Sequence, residues 1–493
     1  SSPYHLDDQN ASFGAITALN NNLLATSDFY TGAFSSEYGN VLSCVYDVKL
    51  RPGNNEKFEA TGGIGLMGTE LTVEGPFKRG YAGSYLFNYR YSTITLINKL
   101  GIVNVPGGVD YQDATYKIVL PTKRAGTFSL YGLIGFSGFS MENMGPSGLS
   151  TPGRPTANAL TSKDFFKKNH LANLGVSHTM SLNSKSFVRM SLNYSGTGAT
   201  DDIFETDTIR IYNSENYFSV DSISSRMHMI NSRIAKSTIR GTVTYNNKIN
   251  ARNKILLGTK YTLYSFNYNQ NMYNYEEASL INITDFKVNL GAVNNFISWK
   301  HSINEKIDIV AGLHNMNILT VNKSTIEPRL SVSWKINKTS SVHSGYGMHS
   351  TLESIHNYYA KVPKNDGTYF EPNRNLGLLK AHHFVMGYEK HFTENLMGKV
   401  EVYYQYLYNL PVENNDTSYY ATINEGIDYR YVELVNKGRG KNYGLEISIE
   451  RFFDKNFYFL LNGSLFDSKY KSLEGIWRNS RYNNNYIVNI LCG

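Results

Sequence analysis

Hydrophobic and polar residues alternate strictly along several long stretches of this chain. The alternation is clearest at residues 188–195, 399–408 and 445–450. In the last of these stretches, the apolar face carries Leu445, Ile447 and Ile449. A period of two that is sustained over such lengths indicates a β-strand with one apolar and one polar face. The pattern therefore predicts an all-β protein built from long strands.

The connections between the predicted strands alternate between short and long. The short turns are rich in Asn, Lys, Gly and Asp, and they lie at residues 78–80, 123–126, 183–185, 246–248, 304–306, 337–339, 393–395 and 454–456. The long polar loops lie near residues 140–163, 197–230, 269–285, 350–380, 410–438 and 470–484. Two connections, near 67–68 and 320–323, are short and depart from the alternation. This arrangement is typical of a transmembrane antiparallel β-barrel of the bacterial outer membrane, whose turns face the periplasm and whose loops face outside.

Composition supports the barrel over a large soluble β protein such as a sandwich array or a propeller. Those folds use strands of about five or six residues with more even connections. The chain of 493 residues contains 38 Tyr and 25 Phe but only 12 Pro. Its mean hydropathy is −0.36, and no apolar run approaches the ~18 residues of a membrane-spanning helix. We count roughly 18 strands, whereas barrels with a plugged lumen have about 22.

Charge and cysteine content exclude several classes of function. The net charge of +7 comes from 48 basic and 41 acidic residues that are scattered along the chain, so nucleic-acid binding is not predicted. Cys44 and Cys492 are the two cysteines, and they cannot form a disulfide framework or a metal cluster. We predict no cofactor and no metal site.

Three motifs resemble catalytic or cofactor sites without the required context. Residues 63–68 match G-x-G-x-x-G, but a strand-like stretch follows where a dinucleotide site needs a helix. Residues 135–138 lack the last glycine of a nucleophile elbow. His382 and His383 would point to opposite faces of a strand, which disfavours a shared metal, and His391 has no partner at a typical zinc spacing. We therefore predict that the protein is not an enzyme.

Aromatic residues in the predicted long loops are candidates for ligand contact, because such side chains can stack on sugars, siderophores or peptides. The alternative is that they belong to the outer interfacial girdle of a barrel. The candidates are Tyr212, Tyr217, Tyr273, Tyr275, Tyr358, Tyr359, Tyr419 and Tyr420.

The first 55 residues do not follow the barrel pattern. The stretch 28–51 resembles the closing segment of the plug domain of TonB-dependent outer-membrane receptors. There, a glycine leads to a Tyr-Gly pair and then to a short apolar strand. The residues that carry the resemblance are Gly32, Tyr38, Gly39, Val45 and Asp47. Cys44 stands where the family usually has glycine.

Two later stretches extend the resemblance over the whole chain. Residues 375–389 are similar to a strand entry of the family but depart from it at the acidic positions, and residues 436–446 are similar to a second family motif. The resemblance implies that residues 1–55 are the C-terminal part of a plug domain. Residues 56–493 would then be a barrel that is incomplete at its C-terminus, so we interpret both chain ends as truncations.

The resemblance also implies a mechanism. A nutrient ligand would bind from outside, and the TonB complex would use the proton gradient to pull a TonB box that is absent from this sequence. Siderophores, cobalamin, oligosaccharides and peptides all use this architecture, so the ligand stays unknown. The implied partners are the TonB complex and outer-membrane lipid, and the architecture can also carry a surface lipoprotein as a lid. A passive porin or a barrel enzyme is the alternative function, and a soluble β-rich binding module is a third.

Overall fold

The computed structural model describes residues 4–6, 16–30, 32–66, 68–102, 109–144, 159–212, 219–275, 277–364, 366–426, 430–454 and 456–493. Its main feature is one antiparallel sheet that curls into a barrel, in which strands that follow each other in sequence are neighbours. Because central strands pair on both sides, the wall satisfies its backbone groups internally, as the interior of a bilayer demands.

Four short strands precede the wall and pair two by two. They are β1 (Tyr4–His5), β2 (Ile16–Thr17), β3 (Asp28–Tyr30) and β4 (Val45–Asp47). The wall begins with β5 (Glu59–Ile64), β6 (Thr69–Pro76), β7 (Ser84–Tyr91), β8 (Val109–Pro121), β9 (Thr127–Met144), β10 (Ala159–Asn183), β11 (Ser186–Tyr212), β12 (Ser219–Lys248), β13 (Asn253–Asn274), β14 (Ser279–Ser302), β15 (Ile307–Ile318), β16 (Lys323–Lys335) and β17 (Ser340–Thr351). A small separate sheet follows, with β18 (Val362–Pro363) and β19 (Tyr369–Phe370). The wall ends with β20 (Leu379–His391), β21 (Leu396–Glu413), β22 (Leu434–Asp454), β23 (Phe457–Lys471), β24 (Trp477–Asn479) and β25 (Tyr486–Cys492).

Helices are few and short. They are α1 (Thr93–Lys99), α2 (Ile355–Tyr358) and the 3₁₀ helices Asn21–Leu23, Pro372–Asn375 and Thr422–Asn424. Ser92 caps α1, because its Oγ accepts a hydrogen bond from the backbone N–H of Thr95 at 3.3 Å. In the part of the chain that the structure describes, no helix has the length and apolar character needed to cross a bilayer.

The number of strands agrees with the prediction from sequence. Nineteen strands belong to the barrel sheet within the described residues. Strands β24 and β25 both pair with β23, at residues 469–471 and 459–465 of that strand. They therefore occupy one position around the wall, and 19 minus one leaves 18. The prediction of roughly 18 strands is confirmed.

The two faces of the wall differ as the alternation predicts. On β21, Val400 and Val402 are 41% and 48% exposed, whereas the intervening Glu401 is only 5% exposed. On β22, Ile447 is also exposed. An outer face rich in exposed apolar side chains is expected for a barrel that meets lipid rather than water. Polar residues accordingly face the interior of the barrel.

The long connections are the main departure from the sequence prediction. The sequence pattern predicts loops at residues 197–230 and 269–285, but β11 and β12 have 27 and 30 residues and extend through most of the first of them. β13 and β14 likewise extend through most of the second. Tyr212 lies in β11 and Tyr273 in β13 rather than in loops. The physical reason is that backbone pairing between neighbouring strands needs no lipid, so a ribbon continues well beyond the ~9–11 residues that cross a bilayer.

The glycine-rich stretch at residues 63–68 leads from β5 into β6. A strand therefore follows it, in the place where a dinucleotide site would have a helix. The short turns lie at the opposite end of the barrel from the long ribbons. In one of them, Gly126 has a φ of +77°, a left-handed conformation that glycine adopts without strain.

Candidate functional site

An extended segment, residues 16–54, runs inside the barrel, and we call it the inner segment (residue 31 is not among the described residues). Near its start, Ala18 is fully buried against Leu133 and Leu171 of the wall. Near its end, Arg51 forms two hydrogen bonds of 2.7 Å with the carboxylate of Glu74 on β6. The segment is therefore attached to the inner face of the wall at both ends.

Between those ends, the wall holds the inner segment by its backbone. Side chains of the wall donate hydrogen bonds to backbone carbonyls, and the acceptors do not depend on the side chains of the inner segment. The pairs are Arg90 to Thr17 at 2.9 Å, Arg329 to Phe34 at 3.3 Å and to Ser35, His314 to Ser36 at 2.8 Å, Lys260 to Glu37, Gln405 to Leu42 at 2.9 Å, and Lys117 to Leu50.

The imidazole of His314 illustrates how the wall is arranged for this task. Its Nδ1 lies 2.8 Å from the carbonyl oxygen of Ser36, so Nδ1 must carry the proton. Its Nε2 then accepts from the side-chain amide of Asn294 at 3.1 Å. Gly39 packs against the same ring, and a Cβ at that position would lie 2.1 Å from Nε2. Only glycine leaves room for this contact.

Arg329 is a second buried donor of this set. Its guanidinium lies 4.9 Å from the ring centroid of Phe34 and donates to a carboxylate oxygen of Glu327 at 2.8 Å. Ser350 donates to the other carboxylate oxygen. The side chains of Arg329 and Glu327 are 4% and 0% exposed. Removal of either residue would leave the other charge buried without a partner, which would lower the free energy of unfolding.

Above the inner segment, residues 352–360 fold into the barrel mouth, and we call them the cap. The cap contains α2, whose four residues are all buried. Ile355 and Tyr358 pack in one apolar cluster with Tyr268, Leu290 and Leu376. The cap therefore closes this part of the lumen from outside.

Two buried carboxylates attach the cap to its surroundings. Glu353 accepts from the backbone of Ser354 at 2.8 Å and from Thr422 at 2.8 Å. Glu425 accepts from His356 at 3.1 Å and from the Asn357 amide at 3.1 Å. Thr422 and Glu425 belong to the connection between β21 and β22. The cap is thus held by side chains of a different external connection.

Burial controls the protonation of groups in this region. Desolvation raises the pKa of Glu353 above its ordinary value, although its hydrogen bonds act in the opposite direction. Desolvation and the nearby Glu425 carboxylate raise the pKa of Tyr420, which donates from its hydroxyl to Glu425 at 3.2 Å. Tyr420 therefore stays a neutral donor.

A column of stacked rings also joins the cap to the wall. Tyr359 lies 4.5 Å from Phe286 between ring centroids, with an interplanar angle of 19°. Phe286 lies 4.9 Å from Tyr268, with an angle of 13°. The guanidinium of Arg374 lies 3.5 Å from the centroid of Tyr359, and Lys236 lies 5.8 Å from that of Tyr268. A cation therefore covers each end of the column.

Between the cap and the inner segment lies a small chamber of about 190 Å³. The residues around it include Asn40, Lys236, Tyr264, Phe266, Tyr268 and Tyr358. Drug-sized ligands occupy pockets of roughly 300–1,000 Å³. A ligand of that size therefore does not fit this chamber while the cap is in place. In the described part of the chain, no group of three or more His, Cys, Asp or Glu side chains is placed to hold a metal ion.

Comparison with protein families identifies the chain. Residues 103–490 match the family model described as "TonB dependent receptor-like, beta-barrel". The chain belongs to the TonB-dependent receptor family. It is accordingly an outer-membrane protein. No curated protein sequence matches it significantly.

Solved structures show that the fold of this TonB-dependent receptor is shared despite low sequence identity. The outer-membrane transporter YddB from Escherichia coli is 12% identical with a TM-score of 0.60, and the match covers 100% of this chain and 74% of YddB. The siderophore receptor PiuA from Acinetobacter baumannii is 12% identical with a TM-score of 0.62, covering 95% and 74% of the two chains. The copper transporter OprC is 11% identical with a TM-score of 0.62, covering 95% and 69%.

The residues of the proposed plug motif all lie on the inner segment of this receptor. Val45 and Asp47 form the ends of β4 and pair with Tyr30 and Asp28 of β3. The ring of Tyr38 lies 5.7 Å from that of Tyr30. A Cβ at Gly32 would come within 3.0 Å of Val385 on the wall, as Gly39 would meet His314. Their assignment to a plug motif stays a prediction.

The candidate loop aromatics fall into different environments. Tyr358, Tyr359 and Tyr420 come together at the cap. Tyr275 and Tyr419 are 67% and 61% exposed, and Tyr419 lies under the guanidinium of Arg478 at 5.4 Å. Tyr273 packs edge-on against Tyr275 at 5.3 Å. Tyr212 ends β11, and Tyr217 lies outside the described residues.

Sequence reasoning missed the residues that hold the cap and the inner segment. The buried carboxylates Glu353 and Glu425 carry no local signal. Asn40 could have been found, because it directly follows the Tyr-Gly pair and asparagine is favoured at left-handed positions. Its φ is +57°.

Proposed function

We propose that the full-length protein takes up a nutrient ligand across the outer membrane, using the TonB complex and the proton gradient. In this proposal residues 1–55 are the C-terminal part of a plug domain, and the inner segment belongs to that part. The observation that supports it best is the row of wall side chains that hold the backbone of that segment. Hydrogen bonds to carbonyls can be broken one at a time, so a pulled segment can leave the wall without unfolding the barrel.

The cap and the chamber supply the outer half of the proposed transport path. A ligand would enter from outside, displace the cap and reach the aromatic rings above Asn40. The neighbours described as siderophore receptor and copper transporter suggest the first ligands to test. The exposed apolar outer face would contact outer-membrane lipid. A surface lipoprotein is a further candidate partner, to be sought by co-purification.

Uptake by cells that express the full-length protein tests this proposal. We expect accumulation of radiolabelled ferric siderophores or of copper only in cells that contain TonB, and we expect an uncoupler of the proton gradient to abolish it. Deletion of the TonB box from the full-length protein is the matched control. Accumulation of the same size in cells without TonB would contradict the proposal and favour a passive porin.

Conductance offers a second test that needs no ligand. Full-length protein in a planar bilayer is expected to stay closed, since a lumen this wide conducts ions unless it is filled. A steady open pore would contradict the plug assignment. Hydrolysis of ester substrates by the purified protein would support a barrel enzyme instead.

A further inference from the structure

We propose that Asn40 couples the cap to the inner segment, so that release of the cap loosens the segment beneath it. The role of this coupling in uptake rests on the proposed function, in which a ligand displaces the cap. The coupling itself is a property of the fold. It can therefore be tested without a ligand and without TonB.

Asn40 stands where three elements meet. Its Oδ1 accepts from the hydroxyl of Thr351 at 3.1 Å and from the backbone N–H of Leu352 at 2.9 Å. Its Nδ2 donates to the hydroxyl of Tyr264 on the chamber wall at 3.4 Å. Thr351 ends β17, and Leu352 is the first residue of the cap. One side chain of the inner segment thus contacts the end of β17, the root of the cap and the chamber wall.

The backbone of Asn40 explains why this residue type suits the position. Its φ of +57° is left-handed, a conformation in which β-branched and most other side chains are strained. Glycine would adopt it easily but would have no side chain to contact the cap. Asparagine satisfies both needs, since it tolerates this conformation and carries both an acceptor and donors.

The position of Asn40 within the inner segment links it to the wall contacts. Ser36 lies four residues before Asn40, and its carbonyl is held by His314. Leu42 lies two residues after Asn40, and its carbonyl is held by Gln405. A displacement at Asn40 is therefore transmitted directly to two of the hydrogen bonds that fix the segment. The far side of the cap is held by Glu425 and by the ring of Tyr359. Asn40 holds the other side of the cap, where Leu352 meets the inner segment.

The test is a cycle of variants followed by hydrogen exchange of the purified chain in lipid nanodiscs. The double substitution Tyr359→Leu with Arg374→Gln removes the ring column and loosens the cap. Asn40→Gly removes the coupling side chain without backbone strain. Asn456→Gly is its matched control, because Asn456 also has a left-handed φ, of +61°, in a turn at the other end of the barrel.

We expect loosening of the cap to speed exchange in residues 352–360 in every background. In the presence of Asn40, exchange in residues 33–44 should also rise, by roughly tenfold if two hydrogen bonds are lost on opening. With Asn40→Gly, loosening the cap should leave residues 33–44 unchanged. With Asn456→Gly, the cycle should behave like the unsubstituted protein.

Two results would overturn the proposal. One is an unchanged exchange rate in residues 33–44 when the cap is loosened in the presence of Asn40. The other is an equal acceleration with and without the Asn40 side chain. If Asn40→Gly does not fold, Asn40→Ala removes the same acceptor, and Asn456→Ala is its control for the strain of a left-handed backbone. Asn40→Asp tests the converse. Aspartate keeps the Oδ1 acceptor and tolerates the left-handed backbone, so coupling should persist although the amide donor to Tyr264 is lost.

Discussion

The inner segment and the cap contact the same barrel in opposite ways. Between its ends, the inner segment is held by the wall mainly through backbone carbonyls, with donors such as Arg329 and His314. The cap is held through side chains, namely buried carboxylates and stacked rings. Contacts to carbonyls survive sequence change on the accepting side, whereas contacts between side chains depend on the identity of both partners. The difference separates an attachment suited to stepwise release from one suited to selective opening.

The largest expected effect concerns the donor side of the inner segment. Arg329→Met should destabilise the protein by about 3–5 kcal/mol, because it leaves the Glu327 carboxylate buried without its partner. Urea-induced unfolding in lipid vesicles measures this free energy. Glu327→Gln combined with Arg329→Met removes both charges and should recover most of the loss. If the double variant is as unstable as the single one, the carbonyl contacts rather than the charge pair dominate.

A smaller effect is expected on the accepting side, where only backbone shape should matter. Gly39→Ala places a methyl group against the imidazole of His314 and should cost about 1–3 kcal/mol. Gly241→Ala is the matched control, since a Cβ there has nothing within 4 Å. The same unfolding measurement applies. Equal stability of the two variants would mean that the inner segment does not pack closely at Gly39.

The cap, unlike the inner segment, should respond to pH. The raised pKa of Glu353 means that the cap is most stable when this carboxyl is protonated, below its ordinary titration range. The cap should become less stable as the pH rises from the ordinary pKa towards the raised one. The equilibrium constant for opening of the cap should then increase by up to about tenfold per pH unit. The charged or titratable neighbours include Glu425, Tyr358 and Tyr420, and also His356, which pairs with Glu425.

Glu353→Gln should abolish that dependence, because glutamine is neutral at every pH. Hydrogen exchange of residues 352–360, corrected for the intrinsic effect of pH, measures the opening. Hydrogen exchange in the inner segment should rise with the opening of the cap only when the Asn40 side chain is present. A dependence on pH that persists in Glu353→Gln would assign the titration to another group, with Glu425 the first to substitute.

The smallest effect should come from the end of the ring column. Arg374→Gln removes the cation over Tyr359 and should loosen the cap by about 0.5–1 kcal/mol. Arg374 also pairs with Glu371 at 2.6 Å, in an exposed position. Glu371→Gln removes that pair alone and should have almost no effect. A larger effect of Glu371→Gln than of Arg374→Gln on exchange in the cap would contradict a role for the ring contact.

The barrel could be predicted from sequence because its signals are local. The alternation at 399–408 determines the two faces of β21. The positions of the short polar turns determine which end of the barrel carries the turns and which carries the long connections. The interfaces could not be predicted, because their partners are far apart in the chain. Ser36 and His314 are separated by 278 positions, and a carbonyl acceptor has no signature in the sequence. The sequence identifies Tyr358 and Tyr359 only as loop aromatics, whereas their packing in the cap depends on Phe286 and Leu290, which lie much earlier in the chain.

The long ribbon of β11 and β12 gives the molecule a reach well beyond the membrane. Strand β11 has 27 residues, so at ~3.3 Å per residue it extends on the order of 90 Å. An apolar band about 25 Å tall, crossed at a tilt near 45°, uses only about 35 Å of that length. More than half of the ribbon therefore projects from the cell. Within the described residues β11 and β12 are the longest neighbouring strands, so this ribbon offers a large particle arriving at the bacterial surface an extended area of contact.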